Sequence, residues 1–178
     1  QNLSSRLIKK FDFKQIDISK NIGFKNVLRK KKYVFNLAAA LPFSSNCDNG
    51  LKGSIDINIK GAVNIACACK DAKVKKLIFV SGYVVYGKPQ YLPIDEKHPT
   101  QPVDWYGVSK LAAEKYLQVI SRQDRGLELV LLRLASVYGP RQISRGLIPN
   151  LIKAAADNSS VVMNAGGKER RDYVFVDA

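Results

Sequence analysis

Two side chains near the middle of the chain have types and a spacing that suit acid–base chemistry. Tyr106 and Lys110 stand four residues apart in the segment YGVSK. On a helix, positions i and i+4 lie on one face, so the phenol and the ammonium can converge on one ligand. The free phenol has a pKa of about 10, and a neighbouring cation favours the phenolate, so we predict a lowered pKa for Tyr106. The spacing alone also describes an amphipathic helix with a surface lysine.

Alternating apolar runs and helical patterns predict the elements that position this pair. Strand patterns cover residues 13–18, 32–38, 76–81 and 127–134, and helical patterns cover about 22–28, 52–72, 105–122 and 147–156. Apolar strands that alternate with helices are typical of a parallel sheet covered on both faces. The sequence therefore predicts an α/β fold with a doubly wound parallel sheet. Ligands of such sheets bind beyond the carboxyl ends of the strands, here after Leu37, Val80 and Leu134.

Composition limits the class of protein. The 178 residues suffice for one packed domain, and 46% hydrophobic with 25% charged residues is close to the average of soluble globular proteins. No apolar run reaches the length of a membrane span. Three cysteines, of which Cys67 and Cys69 point to opposite helix faces, suggest neutral thiols, so a cytoplasmic protein is expected. We expect His98 to be solvent-exposed in a proline-rich loop over 86–104, and we predict no metal site.

The net charge of +14 is unevenly distributed. Residues 1–32 carry ten Lys and Arg against Asp12 and Asp17. The run Arg29-Lys30-Lys31-Lys32 could meet nucleic acid or an anionic surface. The favoured interpretation is a solvated helix end, because cations are favoured at a helix C-terminus.

Several segments, in order along the chain, resemble motifs of the extended short-chain dehydrogenase/reductase family of nucleotide-sugar epimerases and dehydratases. They are Asp17-Ile18, VFNLAAA at 34–40, NIKGAVN from Asn58, FVSGYVVYG at 79–87, YGVSK at 106–110, LRLASVYGPRQ at 132–142 and RRDYVFVDA from Arg170. The resemblance covers essentially the whole chain. It implies a Rossmann-like fold, NAD as the cofactor with NADP as the alternative, and a nucleotide-sugar substrate.

The resemblance also implies a role for each matched residue. The catalytic residues would be Tyr106, Lys110 and Ser81, and the cofactor-binding residues Asp17, Ile18, Leu37, Ala38, Ala39, Asn58, Tyr106 and Lys110. Asn58 would position the catalytic Tyr and Lys. Ser136 and Arg171 would bind the substrate, with Arg171 on the diphosphate of the sugar nucleotide.

Three positions depart from the family pattern. Gly82 stands where the family has the Ser or Thr that hydrogen-bonds the reacting hydroxyl, and Ser81 beside it carries a hydroxyl. A one-residue shift along an extended segment turns a side chain to the other face, so Ser81 is not a simple replacement. Loss of such a positioned donor costs roughly 10²-fold in rate. Asn36 and Ser136 replace the usual His and Asn and remain polar.

The Gly-rich turn that binds the pyrophosphate of dinucleotides in this fold does not occur in the sequence. We therefore expect residues 1–178 to form a single Rossmann-like domain, incomplete at both ends and lacking its first βαβ unit. The substrate-binding region would start at about 141–178. The isolated chain is then expected to be poorly soluble, because an apolar sheet edge is left unpaired, and not to retain NAD.

The resemblance favours epimerisation through a 4-keto sugar with bound NAD. Tyr83 and Val84 stand where dehydratases of the family carry the two acids used for water elimination. An NAD(P)H-dependent nucleotide-sugar reductase is the first alternative. A non-catalytic member that binds RNA or a protein is the second. A homodimer is expected for the full-length protein, and the favoured interpretation includes neither a membrane nor a nucleic acid as a partner.

Overall fold

Parallel pairing of two apolar strands forms the centre of the larger of two structural units. The computed structural model describes residues 11–20, 23–41, 47–142, 146–162, 164–167 and 170–177. One unit is Asp12–Arg133, and the other contains Phe11 and the described residues from Leu134 onwards. The first unit contains the Tyr106 and Lys110 pair.

The elements of the first unit follow the predicted order. They are α1 (Phe24–Leu28), β1 (Tyr33–Asn36), α2 (Cys47–Gly53), a π-helical segment (Ser54–Gly61), α3 (Ala62–Asp71), β2 (Lys76–Gly82), a 3-10 turn (Tyr83–Val85), α4 (Trp105–Gln123) and β3 (Glu128–Leu134). The sheet order is β1-β2-β3. β1 pairs in parallel with β2, from Tyr33 opposite Lys76 to Asn36 opposite Phe79. The predicted Rossmann-like α/β class is confirmed.

The core of this unit lies where α3 and α4 cover one face of the sheet. Buried apolar side chains recur at helical spacing on both helices and pack with buried residues of β2; they include Ile65, Ala66, Cys69, Leu77, Phe79, Ala113 and Leu117. Cys67 is exposed and Cys69 is buried, which confirms that they point to opposite faces. Burial raises the pKa of the Cys69 thiol to about 12, so this thiol is neutral.

The predicted strand over 13–18 was wrong. This stretch has no strand structure, and Phe13 is exposed. A β-strand exists through hydrogen bonds to a neighbouring strand, and none of the described residues supplies one here. The β1 strand shows a related feature: Tyr33 and Phe35 are 59% and 65% exposed, while Asn36 is buried. One face of β1 is therefore uncovered by the described residues.

The helix predicted over 52–72 is helical throughout but not uniformly α. The segment Ser54–Gly61 is π-helical and joins α2 to α3 without a break. Such segments insert extra residues into a helix and occur often at functional sites. Here the π-helical segment contains Asn58.

The second unit holds two short parallel strands and one long helix. Its elements are β4 (Ser136–Tyr138), α5 (Leu147–Ala156), a 3-10 turn (Asn164–Gly167) and β5 (Tyr173–Phe175). β4 pairs with β5 from Ser136 opposite Tyr173 to Tyr138 opposite Phe175. None of the helices in the described part of the chain combines the length and the apolar character that crossing a bilayer requires.

Candidate functional site

The helix that carries Tyr106 and Lys110 begins at a capped turn packed against the end of β2. Asp104 caps α4: its Oδ1 accepts a hydrogen bond from the Gly107 N–H at 2.7 Å. A Cβ at Gly107 would lie 2.8 Å from both the Val84 carbonyl oxygen and the Pro102 Cβ. The absence of a side chain at Gly107 therefore lets α4 start directly against the turn that follows β2.

Lys110 is buried and bound to the backbone of β2. Its side chain is 2% exposed, and its Nζ donates to the Val80 carbonyl oxygen at 2.6 Å. The same Nζ lies 4.3 Å from the centre of the Phe79 ring, within range of a cation–π interaction. Burial lowers the pKa of Lys110 to about 8, and the charge of Glu114 opposes that shift. Lys110 thus joins α4 to the carboxyl end of β2.

Tyr106 is half-buried one turn before Lys110. Burial and the charge of Asp104 raise the pKa of Tyr106 above its ordinary value. This is opposite to the predicted direction. The physical reason is that burial disfavours the phenolate and that the Asp104 carboxylate adds a like charge.

Asn58 connects the loop after β1 to α4. Its Oδ1 accepts from the Ala40 N–H at 2.7 Å, and its Nδ2 donates to the Ala40 carbonyl at 3.1 Å and to Ser109 Oγ at 2.9 Å. Ser109 Oγ in turn donates to the Tyr106 carbonyl at 2.8 Å. Asn58 is fully buried, so these bonds are not exchanged with water. The side chain predicted to position the Tyr and Lys therefore binds the helical turn between them.

The ends of β1 and β2 carry two buried polar atoms without a hydrogen-bond partner among the described residues. They are Asn36 Nδ2 and Ser81 Oγ. Asn36 Oδ1 accepts from the Ala38 N–H at 3.1 Å, which shapes the loop after β1. In that loop Leu37 and Ala38 are exposed and Ala39 is half-buried. Unpaired buried polar groups are rare and costly, which makes this edge of the sheet a candidate binding site.

Asp17 and Ile18 form a turn that is fastened to the helical layer. The Asp17 carboxylate accepts hydrogen bonds from the N–H and the hydroxyl of Ser19, which lower its pKa. The Ile18 carbonyl accepts from Asn64 Nδ2 at 2.9 Å. A Cβ at Gly61 would lie 2.7 Å from the Ile18 side chain, so Gly61 makes room for it.

A buried ion pair lies one turn beyond Lys110 and was not predicted from the sequence. Glu114 on α4 binds Arg133 on β3 through three N–O contacts of 2.7, 3.1 and 3.2 Å. The Arg133 guanidinium lies 4.9 Å from the centre of the Tyr86 ring. A carboxylate four residues after Lys110, on a face that also carries Leu117, is the signal that could have indicated it.

His98 contacts the far side of Tyr86, and the prediction that it is solvent-exposed was wrong. It is 3% exposed, and its Nε2 accepts from the Gln90 N–H at 3.0 Å. Its ring packs on the edges of Tyr86 and Tyr91, with ring centres 5.4 and 4.5 Å apart. Contacts within the proline-rich loop itself bury the imidazole.

The second unit brings the two predicted substrate residues to one short sheet. Ser136 begins β4, and its N–H donates to the carbonyl of Asp172, the residue that follows Arg171. A cavity of about 510 Å³ lies in the same unit, lined by residues of α5 and of the strand ends, including Tyr138, Ile148, Ile152 and Phe175. Across the part of the chain that is described, no three His, Cys, Asp or Glu side chains are grouped as metal ligands.

Comparison with known proteins gives the context of this site. A family model described as "NAD dependent epimerase/dehydratase family" matches residues 2–177. A protein of Methanocaldococcus jannaschii, whose name gives it as a candidate UDP-glucose 4-epimerase, is 34% identical over 169 residues, covering 93% of this chain and 53% of that protein. The dTDP-D-glucose 4,6-dehydratase of Dictyostelium discoideum is 30% identical over 183 residues, covering 94% of this chain and 41% of that protein.

A solved structure agrees with the sequence matches. The UDP-glucuronic acid 4-epimerase of Bacillus cereus, in complex with NAD, superposes with a TM-score of 0.85 at 28% identity, covering 97% of this chain and 54% of the epimerase. The chain therefore spans about half the length of the proteins it matches.

Proposed function

The chain belongs to the NAD-dependent epimerase/dehydratase family, and from that membership we propose that the complete protein is a nucleotide-sugar epimerase. The observation that carries the proposal is the arrangement around the end of β2. Tyr106 and Lys110 occupy the first two turns of α4 against this end, and the Tyr83–Val85 turn beside them carries no carboxylate. Water elimination needs an acid and a base there, whereas epimerisation needs only one group that exchanges a proton with the sugar hydroxyl.

NAD is the proposed cofactor, with NADP as the alternative. The unpartnered Asn36 Nδ2 and Ser81 Oγ at the carboxyl ends of two parallel strands fit a ligand with polar groups at this edge. Leu37, Ala38 and Ala39 would line it, Asp17 and Ile18 would hold its adenine end, and Lys110 would hold the ribose of its nicotinamide. When bound, NAD supplies an acceptor for hydride from a sugar carbon and returns the hydride in the same site.

Tyr106 is the proposed group that takes the proton of the reacting hydroxyl and later returns it. Burial keeps Tyr106 a phenol in this structure, so a phenolate forms only if a positive charge nearby favours it. Lys110 is the cation placed to do this, on the same helix face. Ser81 is the proposed hydroxyl that binds the sugar, and Ser136 and Arg171 are the proposed substrate contacts, with Arg171 on the diphosphate.

The test is to incubate the complete protein with UDP-hexoses and a catalytic amount of NAD, and to follow the sugar products by chromatography. We expect interconversion of 4-epimers without net NADH release. We expect the Tyr106→Phe variant to lose about 10²- to 10⁴-fold in kcat while it still binds NAD. Turnover only with stoichiometric NADPH would show a reductase instead, and a 4-keto-6-deoxy product would show a dehydratase.

We propose that the complete protein forms a homodimer through α4. Val108, Tyr116 and Val119 are exposed at spacings that place them on one face of this helix. An apolar stripe of this kind is a common protein contact. Analytical ultracentrifugation tests the proposal: wild type should sediment as a dimer and Tyr116→Glu as a monomer with an unchanged circular dichroism spectrum.

RNA binding is a second candidate function, and one observation favours it. Lys32 lies before β1, and its carbonyl accepts hydrogen bonds from the N–H groups of Lys75 and of Lys76, the first residue of β2, so two basic runs meet at the amino end of these strands. The exposed ammonium groups of Lys32 and Lys75 could neutralise the phosphates of one RNA strand, whereas Lys76 forms an ion pair with Glu128. The measure is a gel shift of RNA by the complete protein across a salt series. A shift that weakens steeply with salt supports this function, and no shift near physiological ionic strength rejects it.

A further inference from the structure

The buried ion pair between Glu114 and Arg133 is the strongest polar contact outside the proposed catalytic residues. Glu114 is 0% exposed, and the Arg133 side chain is 17% exposed. The two Nε contacts and the shorter Nη2 contact engage both carboxylate oxygens. This planar arrangement fixes the orientation of both groups.

The pair joins α4, which carries Lys110, to β3 and to the segment after β2. Glu114 lies one helical turn after Lys110 on α4, on the same side of the helix. Arg133 stands near the end of β3 and packs its guanidinium on the ring of Tyr86, which directly follows the Tyr83–Val85 turn. Lys110 itself is bound to Val80 on β2. A buried ion pair rarely stabilises a fold more than apolar side chains would, so its presence here needs another reason.

Resting on the proposed function, we propose that Glu114 is a positioning residue for Lys110. Its carboxylate, held in place by Arg133, supplies the negative charge that keeps the buried Lys110 ammonium protonated on the Val80 carbonyl. Lys110 can then act as the cation that favours the Tyr106 phenolate. Arg133 serves this arrangement by orienting Glu114 and by holding Tyr86 at the end of β2.

The charged and titratable groups around Lys110 support this assignment. On α4 these are Tyr106 and Glu114; Arg133 of β3 binds the Glu114 carboxylate, and Tyr86 of the segment after β2 contacts the Arg133 guanidinium. The π-helical segment faces this region with the neutral Asn58 side chain. The charge of Glu114 raises the pKa of Lys110 against the effect of burial. Its hydrogen bond to Arg133 in turn raises the pKa of the guanidinium.

The test measures the titration of Lys110 in the complete protein without substrate or NAD. Lysine side chains labelled with ¹³C at Cε are titrated by NMR, and Lys110→Arg assigns the Lys110 signal. We expect Glu114→Gln to increase the acid dissociation constant of Lys110 roughly tenfold, because a nearby negative charge is removed and Arg133 remains. Glu114→Asp, which keeps the charge, should restore titration close to that of wild type.

A double variant separates the charge from the packing. E114Q/R133M replaces the ion pair by neutral side chains and leaves no unpaired buried charge, so it should unfold at a higher temperature than E114Q. We expect the pKa of Lys110 in the double variant to remain lower than in wild type. If the double variant regains both the stability and the Lys110 titration of wild type, the pair is structural and the proposal is wrong. If E114Q does not fold, the double variant decides alone. Because no step of this measurement involves turnover, the outcome is independent of whether the protein is an epimerase.

Discussion

Asn58 and Ser109 are joined by a hydrogen bond of 2.9 Å between two helical segments that are 51 residues apart in sequence. The Ser109 hydroxyl in turn donates a hydrogen bond to the carbonyl of Tyr106. On its other side, Asn58 binds both backbone groups of Ala40 in the loop after β1. One amide side chain therefore sets the distance between the loop proposed to line the cofactor and the helix proposed to carry out the proton transfer.

Replacement of Asn58 by alanine should destabilise the protein by about 3 kcal/mol, because it leaves the Ala40 N–H and carbonyl without their side-chain partner and removes the donor to Ser109 Oγ. Urea unfolding of the complete protein measures the change. Asn64→Ala is the matched control, since Asn64 makes one hydrogen bond, to the Ile18 carbonyl, and should cost about 1 kcal/mol. Equal losses in the two variants would contradict the role assigned to Asn58.

Substitution of Gly82 by serine should raise kcat. Gly82 has φ −162° and ψ 163°, an extended conformation that any residue adopts, so the backbone accepts a side chain. A hydroxyl there would add a second donor beside the proposed Ser81, at the position where the resemblance places one, and we expect a gain of roughly tenfold or more. Steady-state kinetics with the epimerisable sugar nucleotide gives the measurement. No gain in Gly82→Ser, combined with strong loss in Ser81→Ala, would show that Ser81 already provides the donor.

The buried lysine should make stability depend on pH in a defined direction. The pKa of Lys110 is about 8 in the folded protein and about 10.4 in an unfolded chain. Between these values the unfolded state binds more protons, so stability should rise with pH from about 8 to 10, by up to about 3 kcal/mol. The raised pKa of Tyr106 has the opposite effect, because above about pH 10 the unfolded state binds fewer protons and stability falls as pH rises.

Chemical unfolding at a series of pH values tests this expectation. The rise in stability between pH 8 and 10 should disappear in the Lys110→Met variant. It should persist in Lys115→Met, because Lys115 is an exposed lysine on the same helix. A rise of the same size in all three proteins would mean that another group causes it.

A methyl group at Gly107 should weaken the contact between α4 and the end of β2. The Cβ would approach the Val84 carbonyl oxygen to 2.8 Å, and a backbone oxygen cannot move aside as a flexible side chain can. We expect Gly107→Ala to lower stability by about 1–3 kcal/mol. Gly50→Ala is the control: its Cβ would meet Trp105 at an ordinary 3.6 Å, so better helix propensity should stabilise it slightly. Thermal unfolding of both variants measures the difference, and a Gly107→Ala variant as stable as wild type would contradict the close packing.

Local patterns in the sequence were sufficient for the helices and strands that have a strong apolar periodicity. The helix expected over 105–122 is Trp105–Gln123, and the helix expected over 147–156 is Leu147–Ala156. Both have an apolar face that repeats every three to four residues, which only a helix buries on one side. Tyr106 and Lys110 could be assigned to one face for the same reason.

Features that depend on distant contacts could not be predicted in this way. His98 is buried by Tyr86 and Tyr91, and no periodic pattern reports such a contact in a loop. The direction of the Tyr106 pKa shift depends on how deeply the ring is buried and on the charge of the nearby Asp104, which a four-residue spacing does not fix. The π-helical segment was missed because Ile55 and Ile59 satisfy an α-helical spacing equally well.

The π-helical segment also has a consequence for how the chain tolerates insertions and deletions. Asp56 and Lys60 are exposed within it, so their identity should be free to vary. The length of the segment should not be free to vary. Removing one residue before Asn58 would turn the preceding helix by about 100° relative to Asn58, since an α-helix completes a turn in 3.6 residues. Ala40 and Ser109 would then face a different side chain. Among sequences related to this one, we therefore expect substitutions to be common at the exposed positions of Ser54–Gly61, such as Asp56 and Lys60, and gaps within the segment to be absent.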